Sequence, residues 1–343
     1  MSFAFGFTDE DLVDENGFSD LTRKPAIPQT NDASPLDNLT DDYDASVAPQ
    51  WHSIESILES LENIRMSFEE VDTPKNKITV YRRELFDVKH QLMSENEPEE
   101  GVDSDAKYVF EENDLHKNVY EGGFKSWECS YDIIDKQYDL IDCSNYLEMG
   151  CGTALPSAYL LSDMFKRDAA EFDNPKKIIL SDFNYLVLKL VTVPNIVFNW
   201  YITRHKGEPF WGSSIPSNEI IMSRQLIDKF LEDLKLYKLT IDLISGSWGL
   251  KFAHMIQDLN IDLVITSETI YSPETFPVLS EVLIHLKRLN RMCQIIVAGK
   301  SIYFGVGGSI ADFVSYWNRR TGKYPLVEEI SDGGLKRLLV YIQ

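Results

Sequence analysis

At 343 residues, with 43% hydrophobic residues and a formal net charge of −22, the chain is long enough for one large domain with appendages and too acidic to favour direct sequence-specific binding of nucleic acid. No apolar run approaches the ~18 residues of a spanning helix, and Met1-Ser2-Phe3-Ala4-Phe5 leads straight into acids rather than a basic and then apolar leader. No membrane association and a cytoplasmic and nuclear location are therefore expected. Cys129, Cys143, Cys151 and Cys293 form no C-x-x-C pair, which points to reduced thiols and to no metal site.

The charge is uneven. Residues 1–50 hold eleven Asp or Glu against Arg23 and Lys24, and residues 94–114 hold nine against Lys107, so these two segments carry −17 of the −22. Such segments suit a basic protein partner drawn in by long-range attraction, and equally a solubilising role. Residues 1–50, with Pro25, Pro28, Pro35 and Pro49 among polar residues, are expected to be disordered. The Phe3, Phe5, Phe7 alternation suits a short strand, a docking peptide or a frayed terminus. Trp51, Ile54, Ile57, Leu58, Leu61, Ile64 and Phe68 recur at helical spacing and predict one helix of about 18 residues. A second amphipathic piece covers 83–93, so 51–93 reads as an N-terminal helical extension packing on the main domain. Residues 94–114 read as an acidic mobile loop, and 115–343 as the main domain.

From residue 115 strands and helices alternate, which predicts an α/β fold: a mostly parallel sheet with helices on both faces. The expected strands are 145–149, 176–181, 240–245, 262–267 and 294–300, then 326–330 and 338–342. Helices are expected over 154–166, 186–193, 218–236, 277–289 and 310–320. The sheet has seven strands, and internal repeats are absent.

Leu147-Glu148-Met149-Gly150-Cys151-Gly152-Thr153-Ala154 runs an apolar strand into a glycine turn and a helix, where Gly150 and Gly152 permit close backbone approach to a ligand. A dinucleotide fingerprint needs a third glycine at 155, where this chain has Leu155. S-adenosylmethionine needs the close approach without a pyrophosphate cradle, and Glu148 would tolerate its cationic groups. A plain strand-turn-helix and a dinucleotide remain as alternatives. Ligands of open α/β sheets lie beyond the carboxyl ends of the strands, which singles out Asp182, Phe183 and Asn184 after the second strand, with Asp182 for ribose hydroxyls or as a helix cap. It also singles out Gly246, Ser247 and Trp248 after the third for an adenine, or Trp248 as core. After the fourth come Ser267, Glu268 and Tyr271, an acid and an aromatic beside the reacting methyl. The glycine-rich run 303–309, starting with Tyr303, reads as a lid, a substrate wall or a surface turn. Ahead of the first strand, Ser126, Trp127, Glu128, Cys129 and Ser130 would cover the methionine half of the donor, with the Trp127 π face toward a sulfonium.

Taken together, Glu84 to Met93, Ser126 to Ser130, Glu148 to Thr153, Ser245 to Trp248, Ser267-Glu268-Thr269-Ile270-Tyr271 and Tyr303 to Ser309 resemble the seven-strand class I methyltransferases with an acid-x-x-aromatic motif after the fourth strand. Within that class the chain resembles the protein-histidine N-methyltransferases, in the fungal form, that act on large ribosomal subunit protein three. The resemblance spans about residues 80–310. It implies a Rossmann-like fold, S-adenosylmethionine as cofactor, a basic ribosomal protein as partner, a link to ribosome biogenesis, and methylation at the tele nitrogen by an enzyme expected to be a monomer. Ser126 to Ser130, Gly150, Asp182 to Asn184, Gly246 to Trp248 and Ser267 would touch the donor. Glu268 is the candidate that orients the acceptor imidazole, with Tyr271 and Tyr303 shaping the pocket. The alternatives are a lysine methyltransferase of the same family and a donor-binding ribosome-assembly factor.

Overall fold

The computed structural model describes residues 33–41, 45–95, 122–136, 143–205, 218–303, 307–330 and 335–343. Its main sheet has eight strands in the order β1-β7-β5-β4-β8-β9-β11-β10: β1 Gln50–Ser53, β4 Asn145–Met149, β5 Lys176–Asp182, β7 Leu239–Ser245, β8 Leu263–Ser267, β9 Gln294–Lys300, β10 Leu326–Ile330 and β11 Arg337–Ile342. β7, β5, β4, β8 and β9 run parallel, and β1 and β11 pair antiparallel at either side. The seven expected strands are all present. The eighth is β1, whose Trp51 was expected on a helix.

The helical expectation for 51–93 gives way to a mixed one. Only α1 (Ile54–Ser60) and α2 (Leu85–Glu95) are helical there, while Phe68 lies on β2 (Arg65–Asp72), which pairs with β3 (Thr79–Arg83) and β6 (Glu219–Ile221) in a second, three-stranded sheet. The helix ends after Ser60 because the chain turns through Leu61, Glu62 and the left-handed Asn63, so apolar residues beyond it continue at strand period. β6 also shortens the helix expected over 218–236 to Arg224–Leu236. Within the stretch expected to be disordered, residues 33–41 and 45–50 carry packed structure, with Leu39 and Asn38 buried; the rest of 1–32 and the acidic run 96–114 lie outside the described residues.

α4 (Leu155–Lys166) and the long helix α5 (Tyr185–Arg204) cover one face of the sheet; α7 (Leu250–Ile256), α8 (Phe276–Leu289) and α9 (Ile310–Thr321) cover the other. α5 corrects the reading that no segment is long and apolar enough to span a bilayer: it has 20 residues and mean hydropathy 1.3, but 78% of that apolar window is buried in this protein's own core. It bulges into a π turn over Leu188–Thr192, just ahead of Pro194. Proline has no N–H for the Leu190 carbonyl, and Arg83 Nη1 donates to that oxygen instead at 3.0 Å. The bulge brings Thr192 and Asn195 under the glycine turn, where Thr192 Oγ1 donates to Gly152 O at 2.6 Å and Asn195 Nδ2 to Thr153 O at 2.8 Å.

Across the sheet, Glu281 of α8 and Arg320 of α9 form a completely buried ion pair, with Nε to Oε1 at 2.6 Å and Nη2 to Oε2 at 3.0 Å. Tyr316 Oη donates to Glu281 Oε1 at 2.7 Å, Asn38 Nδ2 to Oε2 at 3.3 Å, and Arg320 Nη2 reaches Ala33 O at 3.0 Å. The pair is thus the anchor of the N-terminal segment as well as of two helices. Arg320→Met would leave the Glu281 carboxylate buried without its cation and should cost about 3–5 kcal/mol in urea-unfolding free energy; a loss below about 1 kcal/mol would show that the pair is dispensable.

Candidate functional site

β4 lies where the strand order reverses, since the chain steps from β4 to β5 and β7 on one side and then returns to β8 and β9 on the other. A crevice at the carboxyl ends of these strands is the expected result. The turn after β4 enters it with Gly150 at φ +64°, Gly152 at +51° and Ala154 at +48°. Gly150 cannot be larger: a Cβ there would stand 2.4 Å from Thr269 Cγ2 and 3.4 Å from Trp248. A Cβ on Gly152 would press on the Gly123 carbonyl at 3.2 Å, and one on Gly123 on Val187 Cγ1 at 2.8 Å, so Gly152 lets the segment before β4 lie against the turn and Gly123 lets it lie against α5.

The resulting cleft has a volume of about 310 Å³. Twelve of the expected site residues line it: Trp127, Ser130, Gly150, Gly152, Asp182, Phe183, Gly246, Ser247, Trp248, Ser267, Glu268 and Tyr271. Asp182 Oδ2 accepts from Gly152 N–H at 2.9 Å and Oδ1 from Asn184 N–H at 3.1 Å. Burial nevertheless dominates and pushes its carboxyl up to about 6, the backbone donors opposing. Trp248 Nε1 donates to Ser181 Oγ at 3.3 Å, which holds the indole across the Gly150 turn.

Six expected residues do not line the cleft. Glu148 is only 2% exposed and faces the start of α4, where its Oε2 accepts from Tyr146 Oη at 3.1 Å, from Ser157 N–H at 3.2 Å and from Ser157 Oγ. Burial pushes its carboxyl up to about 7. It ties β4 to α4 rather than meeting a ligand's positive groups. Ser126 Oγ lies 3.0 Å from Thr153 Oγ1, and Asn184 precedes α5 with its N–H on Asp182. Glu128 begins α3 (Glu128–Ile134) and pairs with Lys300 Nζ at 3.1 Å. Lys300 Nζ also stands 5.1 Å from the Trp127 ring centre, so a cation of the protein already occupies one approach to the π system expected to meet a sulfonium. Arg337 of β11 grips Asp132 of α3 through two hydrogen bonds at 2.6 and 3.1 Å, which fixes α3 and its preceding turn against the sheet.

Glu268 stands in the left-handed region at φ +58°, with its N–H bound to Ala298 O at 2.9 Å. Tyr303 does not line the cleft. It braces Glu268 instead: Lys300 N–H donates to Tyr303 Oη at 3.1 Å, and Tyr303 Oη donates to Glu268 Oε2 at 2.6 Å. Burial, and then the Glu268 charge, raise the Tyr303 phenol and the neighbouring Cys129 thiol, so both stay protonated beside the carboxylate. Glu268 Oε1 and Ser267 Oγ are buried and have no hydrogen-bond partner among the described residues. Where it is described, the run 303–309 packs on the chain after β8, since Gly308 N–H donates to Tyr271 O at 2.8 Å and a Cβ there would lie 2.1 Å from Ile270 O, and none of its described residues lines the cleft.

Thr40, Gly122, Gly123, Lys125, Cys151, Thr153, Thr269, Glu274, Thr275 and Val278 also line the cleft and were not singled out from sequence. Cys151, Thr153 and Thr269 had a signal, lying inside motifs already quoted; Thr40, in a proline-rich acidic stretch, had none.

No protein-family model matches the chain. Histidine protein methyltransferase 1 of Saccharomyces cerevisiae is 36% identical over 100% of this chain and 98% of its own length. Histidine protein methyltransferase 1 of Schizosaccharomyces pombe is 37% identical over 69% of this chain and 68% of its own, and the Rattus norvegicus homologue 31% identical over 66% and 58%. Among solved structures, human N-acetylserotonin methyltransferase in complex with SAM aligns over 75% of this chain and 56% of that one, with 10% identity and a TM-score of 0.31. Identity at this level along essentially the whole length of the yeast protein places the chain in the histidine protein methyltransferase 1 family.

Proposed function

We propose that the chain transfers a methyl group from S-adenosylmethionine to the tele nitrogen of a histidine in a basic protein, large ribosomal subunit protein three. The observation that carries the reading is Glu268: a buried carboxylate at the cleft with one oxygen braced by Tyr303, the Cys129 thiol beside it, and Oε1 without a nitrogen or oxygen donor among the described residues, in a member of this family. The cleft also fits the donor. Gly150 and Gly152 line it with bare backbone, Asp182 offers carboxylate oxygens where ribose hydroxyls would lie, and Ser247 and Trp248 wall the purine end. A negative protein suits a positive acceptor protein, because the net charge of −22 draws it in over long range.

When bound, the donor supplies an electrophilic methyl carbon on a sulfonium. The chain's task is then mainly positioning, since neutral imidazole carries a free lone pair near pH 7 and needs no strong base. Glu268 Oε1 accepts the ring N–H that does not react, fixes the tautomer, and favours the cationic ring once the other nitrogen is alkylated. Tyr303 holds the carboxylate through Oε2, and Tyr271, 6.4 Å from Tyr303 between ring centres, confines the ring beside it. A lysine acceptor would first have to lose a proton, and both Tyr303 and Cys129 are held protonated, which leaves Glu268 as the nearest acceptor for one.

Labelled donor incubated with ribosomal proteins, followed by complete hydrolysis, should yield methylhistidine. Methyllysine would replace the acceptor, and absence of any label would make the chain a binding protein. Glu268→Gln should lower the single-turnover rate at saturating donor about 10²-fold, in the range of a lost proton-handling group, with donor affinity changed less than about threefold. A full rate in that variant would end the orienting role.

Asp182 sets a pH dependence. As a carboxylate it accepts both ribose hydroxyls, so donor affinity should fall as pH drops through about 6, and Asp182→Asn should bind weakly with no such inflection. Stability runs the other way. The folded-state value is raised above the ordinary 3.8, so the native state holds the proton more tightly, and the contribution of this group to unfolding free energy decreases as pH rises from about 4 to about 6. Calorimetric titration with S-adenosylhomocysteine between pH 5 and 8 checks the first, and urea unfolding without ligand checks the second.

A further inference from the structure

Part of the cleft wall comes from the N-terminal segment, far in sequence from every strand-end motif. Residues 33–41 and 45–49 cross the carboxyl edge of the sheet on the side of β7, and they are held there at both ends. At one end Leu39 is buried among the helices of the α8–α9 face, Asn38 Nδ2 donates to Glu281 Oε2 at 3.3 Å, and Ala33 O accepts from Arg320 Nη2 at 3.0 Å. At the other end β1 pairs with β7 in register from Gln50 opposite Ser245. Between these anchors the segment lies on the loop that carries Gly246, Ser247 and Trp248. Ser247 N–H donates to Val47 O at 2.8 Å, Leu250 N–H to Thr40 O at 3.4 Å, and Lys251 N–H to Asp41 Oδ1 at 3.0 Å. Gly246, at φ +106°, has no side chain because a Cβ would sit 2.7 Å from Ala48 O. Thr40 reaches the cleft itself.

From this arrangement we infer that the N-terminal segment is part of the cofactor site: residues 33–41 and 45–49 form the outer wall of its purine end, and Thr40 contacts the bound adenosine moiety. The inference rests on the cofactor reading above. Three features carry it. The contacts fall on the loop after β7 and not on the glycine turn, so they bear on the purine end of the ligand. They use backbone groups of that loop, so its shape depends on the segment being seated. And the anchor is the buried Glu281–Arg320 pair, away from the loop after β7.

Two variants in the full chain loosen the segment at its anchor without touching the cleft. Asn38→Asp sets a second carboxylate against Glu281, and Leu39→Ser removes the buried apolar contact. Each should weaken S-adenosylhomocysteine about tenfold, the effect of losing one or two hydrogen bonds' worth of binding, and should weaken adenosine by the same factor because the loss lies at the purine end. A purely structural role would leave the affinities of folded variants within about twofold of the parent, and that result overturns the inference. Hydrogen exchange on the unaltered chain provides an answer if the variants do not fold. S-adenosylhomocysteine should slow exchange at the Ser247 and Leu250 amides, which donate to the segment, and unchanged exchange there despite binding overturns the inference as well. Failure of the unaltered chain to bind S-adenosylhomocysteine at all would instead remove the cofactor reading.

Discussion

Everything at the cleft depends on how closely bare backbone approaches its neighbours at the turn after β4. With Gly150 at φ +64° and Thr269 at the place where its Cβ would be, the turn closes against the end of β8, and the two strands' carboxyl ends meet in one crevice. Thr266 Oγ1 secures the same junction from below by donating to Met149 O at 2.9 Å, while Thr269 Oγ1 lies 2.6 Å from Thr266 Oγ1. Any side chain at position 150 would strain the left-handed backbone and push these strand ends apart.

Around that junction the protein spends its buried charge on position. Glu148 ties β4 to α4, Asp182 holds the glycine turn by Gly152 N–H, Asp132 and Arg337 fix α3, and Glu281 with Arg320 fixes α9 and the N-terminal segment. Each of these carboxylates has defined donors, and their removal from water is costly unless those donors stay in place. Glu268 differs, since one oxygen is braced by Tyr303 and the other has no partner among the described residues. A buried acceptor left open at a cleft is the kind of group that a ligand's N–H satisfies. Positioning of this sort suits an acceptor such as imidazole, whose lone pair is available at neutral pH and whose reaction is governed by orientation.

Much of this was legible in the linear sequence because it depends on local rules. The apolar runs leading into Glu148, Asp182, Ser245 and Ser267 marked parallel strands and their ends, and the glycines at 150 and 152 marked a turn open to a ligand. The family membership agrees with the motifs at Ser126 to Ser130, Ser245 to Trp248 and Ser267 to Tyr271. Where reading failed, the physics was non-local. Helical spacing from Trp51 to Phe68 merged a strand, a helix and a second strand, because Ile54, Ile57, Leu58, Leu61 and Phe68 face the core in whichever element they lie, while Trp51 is exposed. Glu148 was read as a group for the ligand, whereas the first turn of α4 places Ser157 on it.

Residue order alone determined the strand-helix alternation, the glycine turn and the list of polar residues at strand ends, since each follows from backbone sterics and side-chain periodicity over a few neighbours. Only tertiary structure decided which of those residues face the cleft, that Tyr303 acts through Glu268, and that a proline-rich acidic stretch near the N-terminus walls the site. Those outcomes depend on pairings between groups distant in the chain, such as Asn38 with Glu281 and Val47 with Ser247, whose geometry no local pattern records.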